Sequence, residues 1–542
     1  MKRIHYLLLG ILGSGMAAVM LWIQPVAAVM DSDYYYALGQ QIFWGRGGEQ
    51  PFIWNYLADP KGVPMPSFDY WMPLPAVLAA IGMRLAGTTA LWAARLPFVI
   101  LHGINVALIA YLVFRRTGRA FIGWLGGLAA SFPLFYAGFI TFPESFTPIT
   151  TLGALYFIFV FETEHLWGKK REFLRSLVVG IVCGLIHLSR ADGVIWFLAS
   201  IFLQAGMVFR AVTLRQKSVT LNIMRVAVIN LLGLGVGYGL TIAPWLWHNL
   251  HAFGTLLQPG SGRALWLREY NELFYYPASQ LTFEHWIAQG WGTIIKDRLW
   301  TMGQNLLTAI AVQGQIVFFP LIIWGIVKTW YRLETRFGLG IWMALGLIFS
   351  LIFPFAGVRG GFFHSGAALQ PFLWGLGWQG FQALIQWGAQ YRGWQPKVSQ
   401  TILGVGVLLI VLMAAAAIYV QRYLGNEITP PSWRVTQDRY LAINQRLSDW
   451  GFPADSSLGA VNNPPTFFIF THRSSIVIPG GDVAQLLAVM CRYRADYVVL
   501  EPDQINLGSL YADPMKDENF EYLGTVQDAH ILTLRDVEKT CR

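Results

Sequence analysis

Apolar runs of about 20 residues, the length that crosses the hydrocarbon core of a bilayer, recur along most of this chain with short polar stretches between them. They predict helices near 5 to 28, 91 to 114, 120 to 140, 145 to 162, 173 to 189, 192 to 209, 224 to 246, 303 to 327, 338 to 356, 366 to 386 and 401 to 420. The first run follows Met1-Lys2-Arg3 and extends to about Ala28. It is nearer a full span than a signal-peptide h-region and is read as the first helix. Residues 73 to 86 are too short to span and are expected to lie in the interface. After Val420 the pattern changes: charge rises and Pro430-Pro431 marks a linker. Ser475 to Ile478 and Asp496 to Leu500 read as strands, Asp482 to Tyr493 as a helix, 521 to 535 as a hairpin, and Asn462-Asn463-Pro464-Pro465 as a turn. The predicted fold class is an α-helical polytopic membrane protein of about 11 transmembrane helices plus interfacial helices, with a small C-terminal α/β domain. Residues 1–420 form the membrane part and 421–542 the domain.

Composition supports this reading: of 542 residues 55% are hydrophobic and 13% charged, too few charges to cover a soluble protein of this length. The net charge of +9 could suggest nucleic acid. However, the cations fall in short clusters between apolar spans: Lys2 and Arg3; Arg115, Arg116 and Arg119; Lys169, Lys170, Arg171 and Arg175; Arg210, Arg215, Lys217 and Arg225; Lys328, Arg332 and Arg336; Arg392 and Lys397. All alternate onto one side, which the positive-inside rule makes the cytoplasm, so no nucleic-acid partner is expected. The N-terminus is then inside, and the loops 30–90 and 248–300 and the C-terminal domain are outside, on the face of the inner (cell) membrane away from the cytoplasm. Cys183 lies in an apolar span, whereas Cys491 and Cys541 fall in the outer segment, where a disulfide is permitted.

Nearly every polar motif lies on the outer side. Asp31-Ser32-Asp33-Tyr34-Tyr35-Tyr36 opens the first loop, where the aromatics are expected to hold the chain at the depth of the interface. Asp31 and Asp33 point in different directions on a helix, so one of them is expected to face a substrate; Asp31 or Ser32 could instead cap a helix beginning at Tyr34. Glu144, in Thr141-Phe142-Pro143-Glu144-Ser145, suits a helix N-terminus and is equally a second acid that could bind a divalent metal or steer an acceptor. Arg359 and His364 sit in an outer turn, Val358-Arg359-Gly360-Gly361-Phe362-Phe363-His364-Ser365, where an Arg runs against the inside bias and offers a fork for phosphate oxygens. Arg190 and Asp192 form a tight turn and are candidates for binding substrate, or could simply pair with each other or cap the helices. Arg263, Trp266 and Arg268 in the 248–300 loop, with Lys61, Asp69 and Tyr35 in the first, could hold a sugar phosphate. No GxSxG, HExxH, WWDYG or Walker motif occurs, which argues against a serine hydrolase, a zinc protease, an oligosaccharyltransferase catalytic subunit and an ATP-driven pump.

Taken together, Asp31 to Tyr35, Phe142-Pro143-Glu144-Ser145, Leu188 to Gly193, Ala243-Pro244-Trp245 through Phe253-Gly254, and Arg359-Gly360 with His364-Ser365 near Pro371 resemble the GT-C superfamily of polytopic glycosyltransferases, which includes protein O-mannosyltransferases and aminoarabinose transferases. The resemblance implies a sugar donor linked to polyprenyl phosphate, an acceptor that is protein, glycan or lipid, and inverting transfer at the outer face without a nucleotide. By the same resemblance Asp31 would be the base, and Arg359, with Lys61, Arg263 or His364, would stabilise the departing phosphate. Ser32 stands where mannosyltransferases commonly carry a second acid, which leaves open whether Asp31 or Asp33 is the base. A transporter or flippase of lipid-linked glycans is the alternative; it would place polar residues in mid-helix, whereas here they gather at helix ends.

Overall fold

The computed structural model describes residues 1–162, 172–213, 217–425, 429–504 and 507–541. Lys169, Lys170, Arg171 and Arg215 of the predicted basic clusters lie outside the described residues. Seven described helices are long and apolar enough to cross a membrane, eight if a helix pair bent by 90° counts as one span.

The chain starts with α1 (Arg3–Ile23), whose buried positions Leu9, Gly13, Ala17 and Met20 form one stripe at helical spacing. Opposite that stripe, Leu7, Ile11 and Trp22 are exposed, as a lipid-facing surface requires. A short α2 (Met30–Phe43) and α3 (Leu74–Ala86) precede α4 (Leu91–Thr117). Then follow α5 (Ala120–Ser131), α6 (Phe146–Phe157), α7 (Glu172–Ser189), α8 (Val194–Thr213) and α9 (Lys217–Phe253). The second half holds α10 (Trp291–Thr308), α11 (Phe319–Thr329), α12 (Leu333–Leu347), α13 (Gln370–Arg392) and α14 (Pro396–Tyr419).

Three expected spans are corrected. The α-helix of the run 120 to 140 ends at Ser131, because Phe132 precedes Pro133 and a residue before proline is driven out of the α region, and Leu134–Phe139 resumes as a 3-10 helix. The run 303 to 327 is broken, with Gln315 and Ile316 in the left-handed region (φ 48° and 52°) between two segments that meet at 90°. The first helix stops at Ile23 rather than 28, just ahead of Gln24-Pro25.

Five strands beyond α14 and one from the first loop form a six-stranded sheet of order β2-β5-β4-β6-β8-β7. Its strands are β2 (Phe52–Ile53), β4 (Gly459–Val461), β5 (Ser475–Val477), β6 (Tyr497–Leu500), β7 (Phe520–Val526) and β8 (Ala529–Leu534), while β1 (Glu49–Gln50) and β3 (Met65–Pro66) pair separately. The first four strands in that order are parallel and the last two antiparallel. Strands β4, β5 and β6 are buried along their whole length, as parallel strands covered on both faces must be. Alternate residues serve opposite faces: Tyr497 and Val499 pack with Tyr440, Ile443 and Leu447 of α15 (Ser432–Asp449). On the other face, Val498 and Leu500 pack with Leu486, Val489 and Met490 of α17 (Val483–Tyr493). Asn462 to Pro465 is not merely a turn: Asn463 accepts from Thr466 N at 3.3 Å and so caps α16 (Pro464–Thr471). Cys491 and Cys541 are disulfide-bonded, which ties the chain's end to α17, and Cys183 is buried and free.

Candidate active site

Three elements far apart in sequence meet at the end of the helices that carries the sheet. The first is α2, whose first turn contains Asp31 and Asp33. The helix begins at Met30, so Asp31 does not precede a helix at Tyr34 but sits within one. The following aromatics are not a lipid anchor either: Tyr34, Tyr35 and Tyr36 are all buried, and Tyr34 sits edge-on to Trp71 at 4.7 Å. The second element is the turn before α6, where Glu144 Oε2 accepts from Ser145 N at 2.6 Å and Ser145 Oγ at 3.3 Å. The third, expected to be a loose turn, is wound: residues 357–361 form a π-turn with Gly360 at φ 114°, and a short helix, Phe362–Gly366, carries His364. Only glycine takes such a φ without strain.

His364 Nε2 lies 3.9 Å from Asp31 Oδ2, and its Nδ1 lies 3.7 Å from Glu144 Oε2 and 3.3 Å from Ser145 Oγ. Its ring stacks on Phe146 with centroids 4.1 Å apart. Neither carboxylate is within hydrogen-bond reach of the ring, so burial and then the charge of Arg190 hold its pKa well below the ordinary range, and the imidazole is neutral. Burial raises both carboxyls; the charge of Asp31 raises Glu144 further, and Arg190 pulls both down. Glu144 is 2% exposed and Asp31 33%, so the first negative charge belongs on Asp31 and the shared proton on Glu144. One ligand atom from each of Asp31, Glu144 and His364 lies within 4.8 Å of the others. Two carboxylates and a neutral imidazole are a donor set that suits a divalent cation.

Arg190 and Asp192 do pair, at 2.9 Å, and Asp192 Oδ2 accepts from Ser365 Oγ at 2.6 Å, beside His364. Burial raises the Tyr35 phenol, the charges of Glu144 and Asp31 raise it further, and Arg190 opposes them. Arg359 is exposed and stacks over Tyr270 at 4.6 Å. Burial raises the Tyr270 phenol, the charge of Asp31 raises it further, and Arg359 above the ring opposes them.

The other predicted residues make contacts of their own or are exposed. Asp33, 2% exposed, accepts from Thr466 Oγ1 at 2.7 Å. Asp69 is buried and accepts from Asn55 Nδ2 at 3.2 Å. Arg263 donates to Leu57 O, and Arg268 donates to His285 O. Trp266 packs on Phe283 and Trp286, and Lys61 is exposed on the first loop.

One organising residue escaped the sequence reading. Arg95 of α4 is 1% exposed, has no carboxylate partner among the described residues, and lies 4.0 Å over the Phe142 ring. It donates to Gln24 O at 2.7 Å, to Leu21 O and Pro25 O at 3.4 Å, and to Thr141 O at 3.3 Å, and also bonds Thr141 Oγ1. It therefore clamps the exit of α1, which leads to Asp31, onto the turn that leads to Glu144. The available signal was the one that singled out Arg359, an arginine at the end opposite the basic clusters.

No protein-family model matches the sequence, and no curated protein matches it. Solved structures do. The apo oligosaccharyltransferase of Archaeoglobus fulgidus is similar with a TM-score of 0.55 and 13% identity, over 94% of this chain and 71% of that one. ArnT from Cupriavidus metallidurans, an aminoarabinose transferase, is similar in its apo state with a TM-score of 0.56 and 13% identity, over 97% of each chain. The same protein bound to undecaprenyl phosphate gives 0.53 and 13% over 98% of each. This chain has the GT-C fold. Three of the segments singled out in the sequence supply Asp31, Glu144 and His364, whose ligand atoms gather within 4.8 Å.

Proposed function

We propose that the protein transfers a sugar from a polyprenyl-phosphate donor to an acceptor hydroxyl at the extracytoplasmic face, with Asp31 as base. The observation that carries this reading is the convergence of Asp31, Glu144 and His364, from segments more than 100 residues apart, within 4.8 Å of one another. The fold is shared with ArnT, which has been solved with undecaprenyl phosphate, and with the A. fulgidus oligosaccharyltransferase, which has been solved with a dolichol-phosphate.

In the proposed reaction the Asp31 carboxylate takes the proton of the acceptor hydroxyl as its oxygen attacks the anomeric carbon on the face opposite the phosphate. The bond between that carbon and the phosphate oxygen breaks, polyprenyl phosphate leaves, and the configuration inverts. Negative charge grows on the departing phosphate, and Arg359, exposed and held over Tyr270, is placed to meet it. Without a cation, Glu144, protonated and held by Ser145, orients the acceptor without adding a second charge; with one bound it would give up that proton and serve as a ligand. Asp192 and Ser365 fix the helix that presents His364. The A. fulgidus oligosaccharyltransferase has been solved with zinc and sulfate. Here Asp31, Glu144 and His364 would hold a divalent cation, which when bound supplies a fixed positive charge beside the reacting oxygens. Each residue would give one ligand atom, leaving the second oxygen of Asp31 for the proton.

The test is mass spectrometry of lipid-linked sugars and envelope glycans from cells with and without the protein. An accumulated polyprenyl-phosphate sugar and a missing glycan modification are expected; identical lipid and glycan profiles would remove the reading.

A further inference from the structure

The reading above leaves Asp33 without a role, although it is buried one half-turn from the proposed base. Successive helical residues are rotated by about 100°, so Asp31 and Asp33 face directions about 160° apart. Asp31 faces the cluster, and Asp33 faces the C-terminal sheet unit. There its Oδ2 accepts from Thr466 Oγ1 at 2.7 Å, across 433 positions of sequence. Thr466 is fully buried. Pro464 and Pro465 open α16 and have no N–H to give, and the amide of Thr466 is taken by Asn463. The hydroxyl is therefore the group this end of α16 directs to Asp33. The two chain segments are joined again nearby: β2, nine residues after α2, pairs with β5 in parallel, and Tyr56 Oη bonds Val477 O.

We propose that Thr466 is a positioning residue for Asp31: its hydroxyl pins the first turn of α2, so the C-terminal unit sets the distance from the proposed base to Glu144 and His364. The inference rests on the glycosyl-transfer reading and deepens it by making the sheet unit part of the site's framework. Removing the hydroxyl leaves a buried carboxyl with the backbone of Val29 as its remaining partner, one bond short. The first turn of α2 then shifts to relieve it, and Asp31 moves with it. A displacement near 1 Å can cost about a hundredfold in turnover without removing any group that touches substrate.

The experiment follows polyprenyl phosphate release by the full-length protein in nanodiscs, using an undecaprenyl-phosphate sugar found to accumulate in cells lacking it. Turnover is measured for wild type, Thr466→Val, Thr466→Ala, Thr466→Ser and Asp31→Asn. Thr466→Val keeps the volume and loses the hydroxyl; its kcat is expected to fall between about tenfold and a hundredfold with KM changed less than about twofold. Thr466→Ser restores the hydroxyl and is expected to return kcat to within about threefold of wild type. If Thr466→Val turns over like wild type while Asp31→Asn is inactive, the positioning role is wrong and the catalytic reading stands. If Asp31→Asn also turns over normally, the catalytic reading itself falls. If both hydroxyl-less variants fail to fold while Thr466→Ser folds, the hydroxyl is a folding contact and the proposal is overturned.

Discussion

Asp69 shows what a buried carboxyl does to this protein away from the reaction centre. Burial, only partly offset by the bond from Asn55, pushes it up to about 7 from an ordinary value near 3.8. The folded state therefore keeps a proton that the unfolded chain releases above pH 4, and stability contributed by this group is lost as pH rises from about 4 to about 7. Asp69→Asn removes that dependence, so its thermal midpoint is expected to match wild type near pH 4.5 and exceed it at pH 8, as read by unfolding in detergent. Equal midpoints at both pH values would contradict this. Arg359→Ala is expected to weaken donor binding about tenfold, since a charged partner of the phosphate is lost, with little change in stability because Arg359 is exposed; binding of undecaprenyl phosphate by native mass spectrometry checks it. At this scale the sequence revealed Glu144, Arg359 and His364 because such residues stand out in otherwise apolar turns. The split between Asp31 and Asp33 was legible only as a difference in direction. Which of them faces the cluster depends on Thr466, and no local pattern identifies a partner so distant in sequence.

Among the elements, α4 does more than span. Through Arg95 it joins the exit of α1 to the Thr141 turn, and lysine, with three donors against five, cannot satisfy all the oxygens that Arg95 bonds. Arg95→Lys is expected to cost roughly 2–4 kcal/mol, because buried carbonyls lose charged donors. A lowered thermal midpoint together with reduced turnover would bear this out; a wild-type midpoint would not. A second element pair is set by backbone contact: a Cβ on Gly380 of α13 would lie 1.9 Å from Leu321 O of α11, and one on Gly325 would lie 2.0 Å from Leu376 O. Small residues allow this approach, so Gly380→Val should separate the helices and abolish recovery of folded protein in size-exclusion chromatography, while Gly340→Ala, in open space, should not. Hydrophobic runs made most of these helices legible. They hid the break at Gln315–Ile316 and the early end at Ser131, because mean apolarity continues through positions where the backbone conformation changes.

For the molecule as a whole, the sheet and the helices are not separable along the sequence. Strand β2 comes from the first loop yet forms the sheet's edge, and Arg492 of α17 pairs with Asp59 of that loop at 2.9 Å. A two-residue strand carries too little pattern to be read from sequence, whereas β5 and β6 were legible as short runs rich in β-branched and aromatic residues, and β7–β8 as a hairpin. The Asp31–Glu144–His364 cluster is assembled from the first loop and two later turns, and catalysis by that cluster is the central claim. Its most direct test is release of polyprenyl phosphate from a lipid-linked sugar by the purified protein in nanodiscs, comparing wild type with Asp31→Asn. The variant is expected to fold and bind the lipid but to release at least about a thousandfold less, the scale at which losing a general base is felt; release at the wild-type rate would contradict catalysis by Asp31.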